Sequence, residues 1–424
     1  MKFLRDIIDK QKPKFTKGGK LEKLHTAFDA FETFLFTPNT TTPAKGAVHV
    51  RDAIDLKRLM VTVILAMTPA LLYGMWNVGH QHAIATGQVM TFLEKFLMGL
   101  EVTLPIIVVS YVVGLGIEFY FATKRGHAVN EGYLVTGMLI PLIMPPTIPL
   151  WQVAVATAFA VIIAKEVFGG TGMNILNIAL TARAFLYFAY PSDIAGSKVW
   201  TYTGGEATVD GFSGATALAV AAENSTALKE AEAGFSNASV GNALEQAGTQ
   251  LGQADFYSFT NMFMGAIPGS IGETSTLMCL LGAAILIGTG VGSWKIIASA
   301  FGGAYLMGLV FNAFAGNAFA AMPAHYHLVM GGIAFGIVFM ATDPVSASQT
   351  ETGKWIYGFL IGALTVLIRV FNPAYPEGIM LAVLLMNVLA PLIDYYVVDA
   401  NKKRRLKRVK QTAPVEQTPS VVTA

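Results

Sequence analysis

The chain has 424 residues, of which 54% are hydrophobic and only 13% charged, and its formal net charge is +2. Soluble domains carry about 25% charged residues, so this composition excludes an ordinary soluble protein and predicts a polytopic membrane protein. The single cysteine, Cys279, excludes an intrachain disulfide and a cysteine-ligated iron–sulfur cluster.

Residues 1–56 form a basic segment ahead of the first long apolar run. Apolar residues recur at helical spacing between 21 and 34, with charged residues on the other faces. This pattern predicts a helix that lies at the membrane surface. Packing against the protein's own cytoplasmic loops is an equally good alternative.

Ten apolar runs are long enough to suggest membrane spans, since about 20 residues cross a bilayer as a helix. They occur at 58–77, 100–122, 132–147, 149–168, 174–190, 274–291, 295–315, 328–342, 355–371 and 378–398. The first five belong to a membrane region at 57–190 and the last five to a second region at 274–398. A polar loop at 191–273 separates them, and a basic, partly disordered tail follows at 399–424.

The basic residues predict the orientation, because cytoplasmic loops are enriched in lysine and arginine. Lys124, Arg125, Lys165 and the basic tail fall on one side, together with the N-terminus. The loop 191–273 has two lysines against nine acidic residues and falls on the other side. Both termini are therefore predicted to be cytoplasmic, and Arg369 is the one basic residue at a span end that contradicts this pattern.

A weak internal repeat relates the two membrane regions. Leu-Val-Thr-Gly at 134–137 and Leu-Val-Met-Gly at 328–331 are each followed by an apolar run, a proline-bearing turn and a second run. Five spans per copy is an odd number, so the second copy would be inverted in the membrane. The predicted fold is an all-α bundle of about ten transmembrane helices in two inverted five-helix repeats, with ligand sites near mid-membrane. A chance similarity is the alternative.

Ionisable side chains inside the predicted spans are expensive to bury and therefore indicate functional sites. Arg183 requires an acidic side chain or a ligand anion as its partner. Glu118 is predicted to line a cytoplasmic cavity, and Asp343 and Asp394 offer the oxygen ligands that a hard cation prefers. Each acid could instead cap a helix or form half of an ion pair.

Two glycine-rich stretches, 169–177 and 268–274, each open a span and provide free backbone N–H groups. Such stretches suit a phosphate or a flavin carbonyl, with tight helix packing as the alternative. Phosphate-binding loops, dinucleotide fingerprints and Ser-His-Asp sets are not evident. The chain is therefore not expected to hydrolyse ATP, to bind NADH itself or to bind nucleic acid.

The outer loop contains Asp-Gly-Phe-Ser-Gly-Ala-Thr at 210–216. By composition this string is an ordinary surface turn. Its pattern of Asp210, Ser213, Gly214, Ala215 and Thr216 resembles the site where a flavin transferase attaches FMN through a phosphoester to the threonine hydroxyl.

Further motifs point to the same family. They are His-Val-Arg-Asp at 49–52, Val-Asn-Glu-Gly at 129–132, Pro-Pro-Thr-Ile-Pro-Leu-Trp at 145–151, Ala-Lys-Glu-Val-Phe-Gly-Gly-Thr-Gly at 164–172, Pro-Gly-Ser-Ile-Gly-Glu at 268–273, Ala-Thr-Asp-Pro-Val-Ser-Ala-Ser at 341–348 and Asn-Pro-Ala-Tyr-Pro-Glu-Gly at 372–378. From about residue 15 to 409 the chain resembles the B subunit of the sodium-translocating NADH:quinone oxidoreductase. The related D subunit of the Rnf complex shares the threonine motif, and the extended N-terminus favours the quinone reductase.

The resemblance implies a flavin-carrying translocase component of a six-subunit complex in the bacterial inner membrane. It implies covalent FMN on Thr216, a riboflavin near Asn174 and Asn177, ubiquinone near Gly114 and Glu118, and sodium uptake at Asp343 and Asp394. Electrons would pass from a partner subunit's FMN through both flavins to ubiquinone, coupled to sodium export. Three further residues are expected near the riboflavin or a flavin phosphate: Arg183, Gly272 and Glu273. The alternatives are the Rnf protein and a ten-helix solute channel or transporter without a cofactor.

Overall fold

The computed structural model describes most of the membrane-embedded chain. The described residues are 2–16, 19, 21, 25–36, 48, 54–126, 129, 132–194, 199–209, 212, 214–222, 257–314, 319–372 and 377–412. Asp210 and Ser213 of the predicted attachment motif lie outside the described residues, as do 223–256 in the outer loop and the last residues of the tail.

Two helices precede the first span. Helix α1 (Lys2–Phe15) was not predicted, and α2 (His25–Leu35) lies within the predicted surface-helix segment. They pack against each other through stacked rings of Phe15 and Phe28, 4.5 Å apart, and an ion pair between Lys12 and Glu32 at 2.6 Å. Helices α1 and α2 therefore pack together as a pair, and the location of α2 at the membrane surface stays a prediction.

Ten helical segments follow, in two groups of five. The first group is α3 (Leu56–Thr86), α4 (Phe92–Arg125), α5 (Tyr133–Leu142), α6 (Leu150–Phe159, continued as a π-helix over Ala160–Glu166) and α7 (Ile178–Ala189). The second group is α8 (Thr276–Gly288), α9 (Trp294–Ala313), α10 (Ile333–Phe335, continued as a π-helix over Gly336–Met340), α11 (Glu351–Phe371) and α12 (Ile379–Thr412). Shorter helical pieces occur at Pro191–Ile194, 217–222, Phe259–Met264 and Tyr326–Leu328.

The predicted all-helical, multi-span architecture is confirmed. Within the described part of the chain, five helices are long and apolar enough to cross a membrane: α3, α4, α9, α11 and the Ile379–Arg408 part of α12. Shorter apolar helices are α5, α7 and α8. The ten-span count and the inverted repeat remain predictions.

Helix ends explain why some segments are shorter than the apolar runs. Helix α5 contains Pro141 and ends at Leu142, ahead of Pro145 and Pro146, where two successive prolines disfavour helical backbone and restrict the residue before each of them. Helix α7 begins at Ile178, where the side chain of Asn177 accepts a hydrogen bond from the Leu180 N–H at 3.1 Å. Residues 174–177, predicted as part of the fifth span, therefore form non-helical backbone.

Glycines allow the long helices to approach one another closely. A Cβ on Gly74 of α3 would lie 1.8 Å from the Ile271 carbonyl oxygen, and one on Gly282 of α8 would lie 2.5 Å from the Ala66 oxygen. Helices α9 and α11 pack in the same way through Gly303 and Gly362. In a bilayer the hydrophobic effect does not drive helices together. Small residues at helix crossings instead allow close van der Waals packing. The two groups are thus joined by direct contact of α3 with α8 and of α7 with α12.

Two basic residues that the charge pattern placed at span ends are buried. Arg369 donates to the carbonyl oxygens of His327, Met330 and Glu377 at 2.6, 2.8 and 3.1 Å, so it holds a loop and does not report orientation. Lys165, which the charge pattern assigned to the cytoplasmic side, has a side chain that is 1% exposed and lies within the π-helix that ends α6, so it does not report orientation either. Orientation therefore depends on the remaining charges.

Candidate functional site

A cavity of about 410 Å³ opens beside the threonine of the predicted attachment motif. Its lining includes Trp200, Thr216, Ser270, Glu273, Gly331 and Glu377. These residues come from the outer loop, from the glycine-rich stretch before α8 and from the turns before α10 and α12. We call it the outer cavity.

Thr216 is half-buried and begins the short helix at 217–222. Its hydroxyl oxygen accepts a hydrogen bond from the Ala219 N–H at 3.2 Å. The backbone before it is held by Tyr257, whose hydroxyl donates to the Ala215 carbonyl at 2.6 Å, and by Gly214 with φ +65°. The cap bond uses an oxygen lone pair, so the hydroxyl proton remains free to be replaced by a phosphoryl group.

Arg183 lies next to the outer cavity and contacts three residues of its lining. Its guanidinium donates to Glu273 at 2.7 Å and also to Glu377, and its Cζ lies 5.8 Å from the Trp200 ring centroid. The expected acidic partner of Arg183 is therefore present, in the form of two carboxylates. The cluster ties α7 of the first group to segments that precede α8 and α12 of the second.

Gly272, predicted near a flavin, lines neither of the cavities described here. Its N–H donates to the Leu142 carbonyl at 2.7 Å, and a Cβ at this position would lie 2.5 Å from the Leu142 side chain. The glycine is needed for backbone packing between α5 and the segment before α8.

A second cavity of about 810 Å³ lies where the two helix groups meet, and we call it the central cavity. Its polar lining comes from both groups: Thr136, Lys165, Thr171, Asn174 and Asn177 from the first, and Thr342 and Asp343 from the second. Apolar residues of α3, α5, α8 and α10 form the remaining wall. Apolar walls with a few convergent polar groups are typical of ligand sites.

The asparagines lie in the irregular backbone ahead of α7. Asn174 donates to the Leu176 carbonyl at 3.1 Å, and Gly172 beside it has φ +86°, in the left-handed region that favours glycine. Irregular backbone at membrane depth is tolerated where it is buried in protein or lines a cavity, and this stretch lines one.

The two aspartates differ in their surroundings. Asp343 lines the central cavity and accepts hydrogen bonds from the Ser346 hydroxyl at 2.7 Å and the Val345 N–H at 3.2 Å. Burial raises the pKa of the Asp343 carboxyl above its ordinary value, and these hydrogen bonds oppose the rise.

Asp394 belongs to α12, and its carboxylate binds residues 348–350, which lead into α11. Its carboxylate accepts from the Ser348 and Thr350 hydroxyls, each at 2.6 Å, and from the N–H groups of Gln349 and Thr350 at 2.7 and 3.0 Å. Four donors satisfy this carboxylate. The structure therefore places one of the two predicted sodium residues in the central cavity and uses the other to hold the adjacent turn.

Gly114 and Glu118 lie one turn apart on α4, facing α5 and the π-helix. A Cβ on Gly114 would lie 1.9 Å from Cζ of Tyr133, so glycine makes room for that ring. Glu118 is buried and accepts from the Lys165 ammonium at 2.5 Å and from the Thr171 hydroxyl at 3.3 Å. Since Lys165 and Thr171 also line the central cavity, the predicted quinone region adjoins it.

Sequence reasoning missed three residues of these sites: Lys165, Trp200 and Glu377. Lys165 carried a usable signal, because Lys165 and Glu166 both fall inside the predicted span 149–168 and Glu118 inside another. Trp200 and Glu377 follow from tertiary packing and carry no local signal.

Comparisons with known proteins show the family to which this chain is similar. A family model described as "NQR2, RnfD, RnfE family" matches residues 44–403. A Chromohalobacter salexigens protein, named as the B subunit of a Na(+)-translocating NADH-quinone reductase, is 46% identical, covering 97% of this chain and 98% of the relative. Proteins of the same name from Stutzerimonas stutzeri and Klebsiella pneumoniae are each 45% identical, covering 96% of this chain and 99% of each relative.

Proposed function

Since the chain belongs to the NQR2, RnfD, RnfE family, we propose that it is the flavin-carrying membrane component of a sodium-pumping NADH:ubiquinone oxidoreductase, a translocase. The Rnf D protein is the alternative within the family. The near full-length identity to reductase B subunits favours the reductase.

The outer cavity is the proposed site of covalent FMN, joined to Thr216 through a phosphoester. The observation that carries this proposal is the half-buried Thr216 hydroxyl at the mouth of a cavity with an aromatic wall at Trp200. Glycines at 269, 331 and 332 line the same cavity. Arg183 forms ion pairs with both Glu273 and Glu377, which lowers the repulsion that these carboxylates would exert on an added phosphate.

The central cavity is the proposed riboflavin site. Asn174 and Asn177 line it and supply amide groups that can hydrogen-bond to ring carbonyls and nitrogens. When bound, the two flavins would supply one-electron transfer between a partner subunit's FMN and ubiquinone. Gly114 and Glu118, which adjoin this cavity on the α4 side, would then face the quinone.

Sodium coupling is assigned to the same cavity. Asp343, with Thr342 beside it, offers the oxygen ligands that a hard cation prefers, while Asp394 holds residues 348–350 in place. Moving one charge against 100 mV requires about 2.3 kcal/mol, which a one-electron drop of about 100 mV matches. Electron transfer and sodium movement would be coupled if both changed the population of the same conformational state.

We also infer that the protein lies in the bacterial inner membrane with both termini cytoplasmic, in a complex of six subunits. The buried Cys279 gives a low background for cysteine labelling. A membrane-impermeant maleimide should label Ala207→Cys from the outside and Asn401→Cys only after permeabilisation. The reverse result would contradict the orientation.

The covalent flavin is tested on a denaturing gel of the purified complex from cells that contain the flavin transferase. The band of this chain should fluoresce in the wild type and in Thr208→Val, a matched control at an exposed threonine of the same segment, and should be dark in Thr216→Val. A wild-type band without fluorescence would instead favour a transporter without a cofactor.

A further inference from the structure

Lys165 is a buried ammonium group between two predicted sites. Its side chain is 1% exposed and lines the central cavity, while its Nζ lies 2.5 Å from the Glu118 carboxylate. The ring of Tyr133 lies beneath it, with 6.0 Å between Nζ and the centroid. Lys165 thus contacts the proposed quinone region and the proposed flavin cavity at once.

The pair with Glu118 is incompletely satisfied. One carboxylate oxygen of Glu118 accepts from both Lys165 and Thr171, whereas the other is buried and has no hydrogen-bond partner among the described residues. A buried ion pair contributes little net stability unless further hydrogen bonds complete it. A purely structural role therefore accounts poorly for this lysine.

The π-helix places Lys165 where it is. Residues Ala160–Glu166 are wound with an extra residue per turn, a feature that is frequent at functional sites. The neighbouring Glu166 is occupied by Arg125, which donates to its carboxylate at 2.8 Å and to its carbonyl at 2.7 Å. Glu166 is thereby neutralised, and the charge of Lys165 is left to act on Glu118 and on the cavity.

We propose that Lys165 is a positioning residue whose positive charge sets the reduction potential of the flavin in the central cavity. Through its ion pair, Lys165 also makes Glu118 sensitive to the charge in that cavity. The inference rests on the proposed function. One electron enters the cavity from the donor and leaves to the quinone; no bond forms or breaks, and Lys165 keeps its proton throughout. Added negative charge in the cavity attracts the ammonium group and weakens its hold on Glu118.

Two substitutions should shift the potential in opposite directions. Lys165→Met removes a positive charge and should disfavour reduction, whereas Glu118→Gln removes the compensating negative charge and should favour it. Each should change the ratio of reduced to oxidised flavin at a fixed potential by roughly tenfold, or about 59 mV for a one-electron couple. Lys124→Met, at an exposed lysine of α4, should leave the ratio unchanged.

The measurement is an optical redox titration of the intact purified complex, with the covalent flavin as internal reference. Acid extraction and chromatography first establish that the noncovalent flavin is present. Lys165→Arg keeps the charge and should stay within about threefold of the wild type. If the complex with Lys165→Met does not assemble, Lys165→Gln takes its place. The reduction potential of the flavin should then fall in Lys165→Gln and rise in Glu118→Gln.

Unchanged potentials, or shifts of the same sign in the lysine and glutamate variants, would overturn the role of Lys165 while leaving the proposed function intact. Wild-type complex without noncovalent flavin would overturn the riboflavin assignment, and this inference with it.

Discussion

Gly114 shows most sharply how a single small residue shapes the proposed quinone region. The Tyr133 ring occupies the space where a side chain would begin, and its hydroxyl donates to the Ser110 carbonyl at 2.9 Å. The same ring supports Lys165. A methyl group at 114 would therefore disturb a chain of contacts that reaches the central cavity.

We expect Gly114→Ala to lower stability by about 1–3 kcal/mol, because the Cβ overlaps a buried ring that cannot move freely. It should also raise the KM for ubiquinone. The measurements are thermal unfolding of the purified complex and steady-state quinone reduction.

Gly116→Ala is the matched control, since an added Cβ there meets no atom within 4 Å. It should be neutral or slightly stabilising, because alanine is favoured over glycine in a helix by about 1 kcal/mol. Equal stability and equal KM in the two variants would contradict the packing role of Gly114.

The sequence predicted the surroundings of a single residue where burying its charge is too costly without a partner. Arg183 required an acid, and Glu273 and Glu377 supply it. Cys279, which lies in an apolar run of the sequence, is buried. The partner of Glu118 was not predicted, because Lys165 at the end of an apolar run has the same pattern as a loop lysine that marks the cytoplasmic side.

At the level of helices, α9 and α11 approach each other closely. A Cβ on Gly303 would lie 2.2 Å from the Phe359 carbonyl oxygen, whereas the adjacent Gly302 has no atom within 4 Å of that position. Successive helical residues point about 100° apart, so only one of these two glycines faces α11.

Gly303→Ala should therefore destabilise the bundle by about 1–3 kcal/mol by forcing α9 and α11 apart, and Gly302→Ala should not. Trp294 and Trp355 pack edge to face at the same pair of helices, with ring centroids 5.5 Å apart, so tryptophan emission during heating is a suitable measurement. Equal unfolding temperatures for the two variants would refute the close contact.

Helix positions followed from the apolar runs, but their internal geometry did not. Every predicted span overlaps a helical segment, since length and hydropathy are properties of the sequence itself. The π-helices after α6 and α10 depend on packing against neighbouring helices and leave no periodic signal. The apolar pattern also did not predict that α12 extends to Thr412, because the last three turns of this helix are basic and not apolar.

At the scale of the whole molecule, the central cavity exists only because the two helix groups meet. Lys165, Asn174 and Asn177 come from one group and Asp343 from the other, so relative movement of the groups would change the distance between the proposed flavin residues and the proposed sodium residue. Contacts of α3 with α8 and of α7 with α12 form the joint. Spacing in the sequence did not reveal this, since Asn177 and Asp343 are far apart along the chain.

If sodium binds at Asp343, protons should compete with it. The pKa of this carboxyl is raised, so it holds its proton to a higher pH than an ordinary aspartate does. The sodium concentration that half-saturates quinone reduction should therefore increase as pH falls through that raised value, and become constant well above it. Rates measured against sodium concentration at several pH values provide the test.

Asp343→Asn removes both the charge and the titration. It should raise the half-saturating sodium concentration at least about tenfold, the equivalent of about 1.4 kcal/mol, and abolish its pH dependence. Asp394→Ala is the comparison: loss of the cap before α11 should cost about 0.5–2 kcal/mol of stability but leave the pH dependence in place. Unaltered sodium dependence in Asp343→Asn would show that the ion does not use this cavity, and coupling would then have to reach the flavins from elsewhere in the complex.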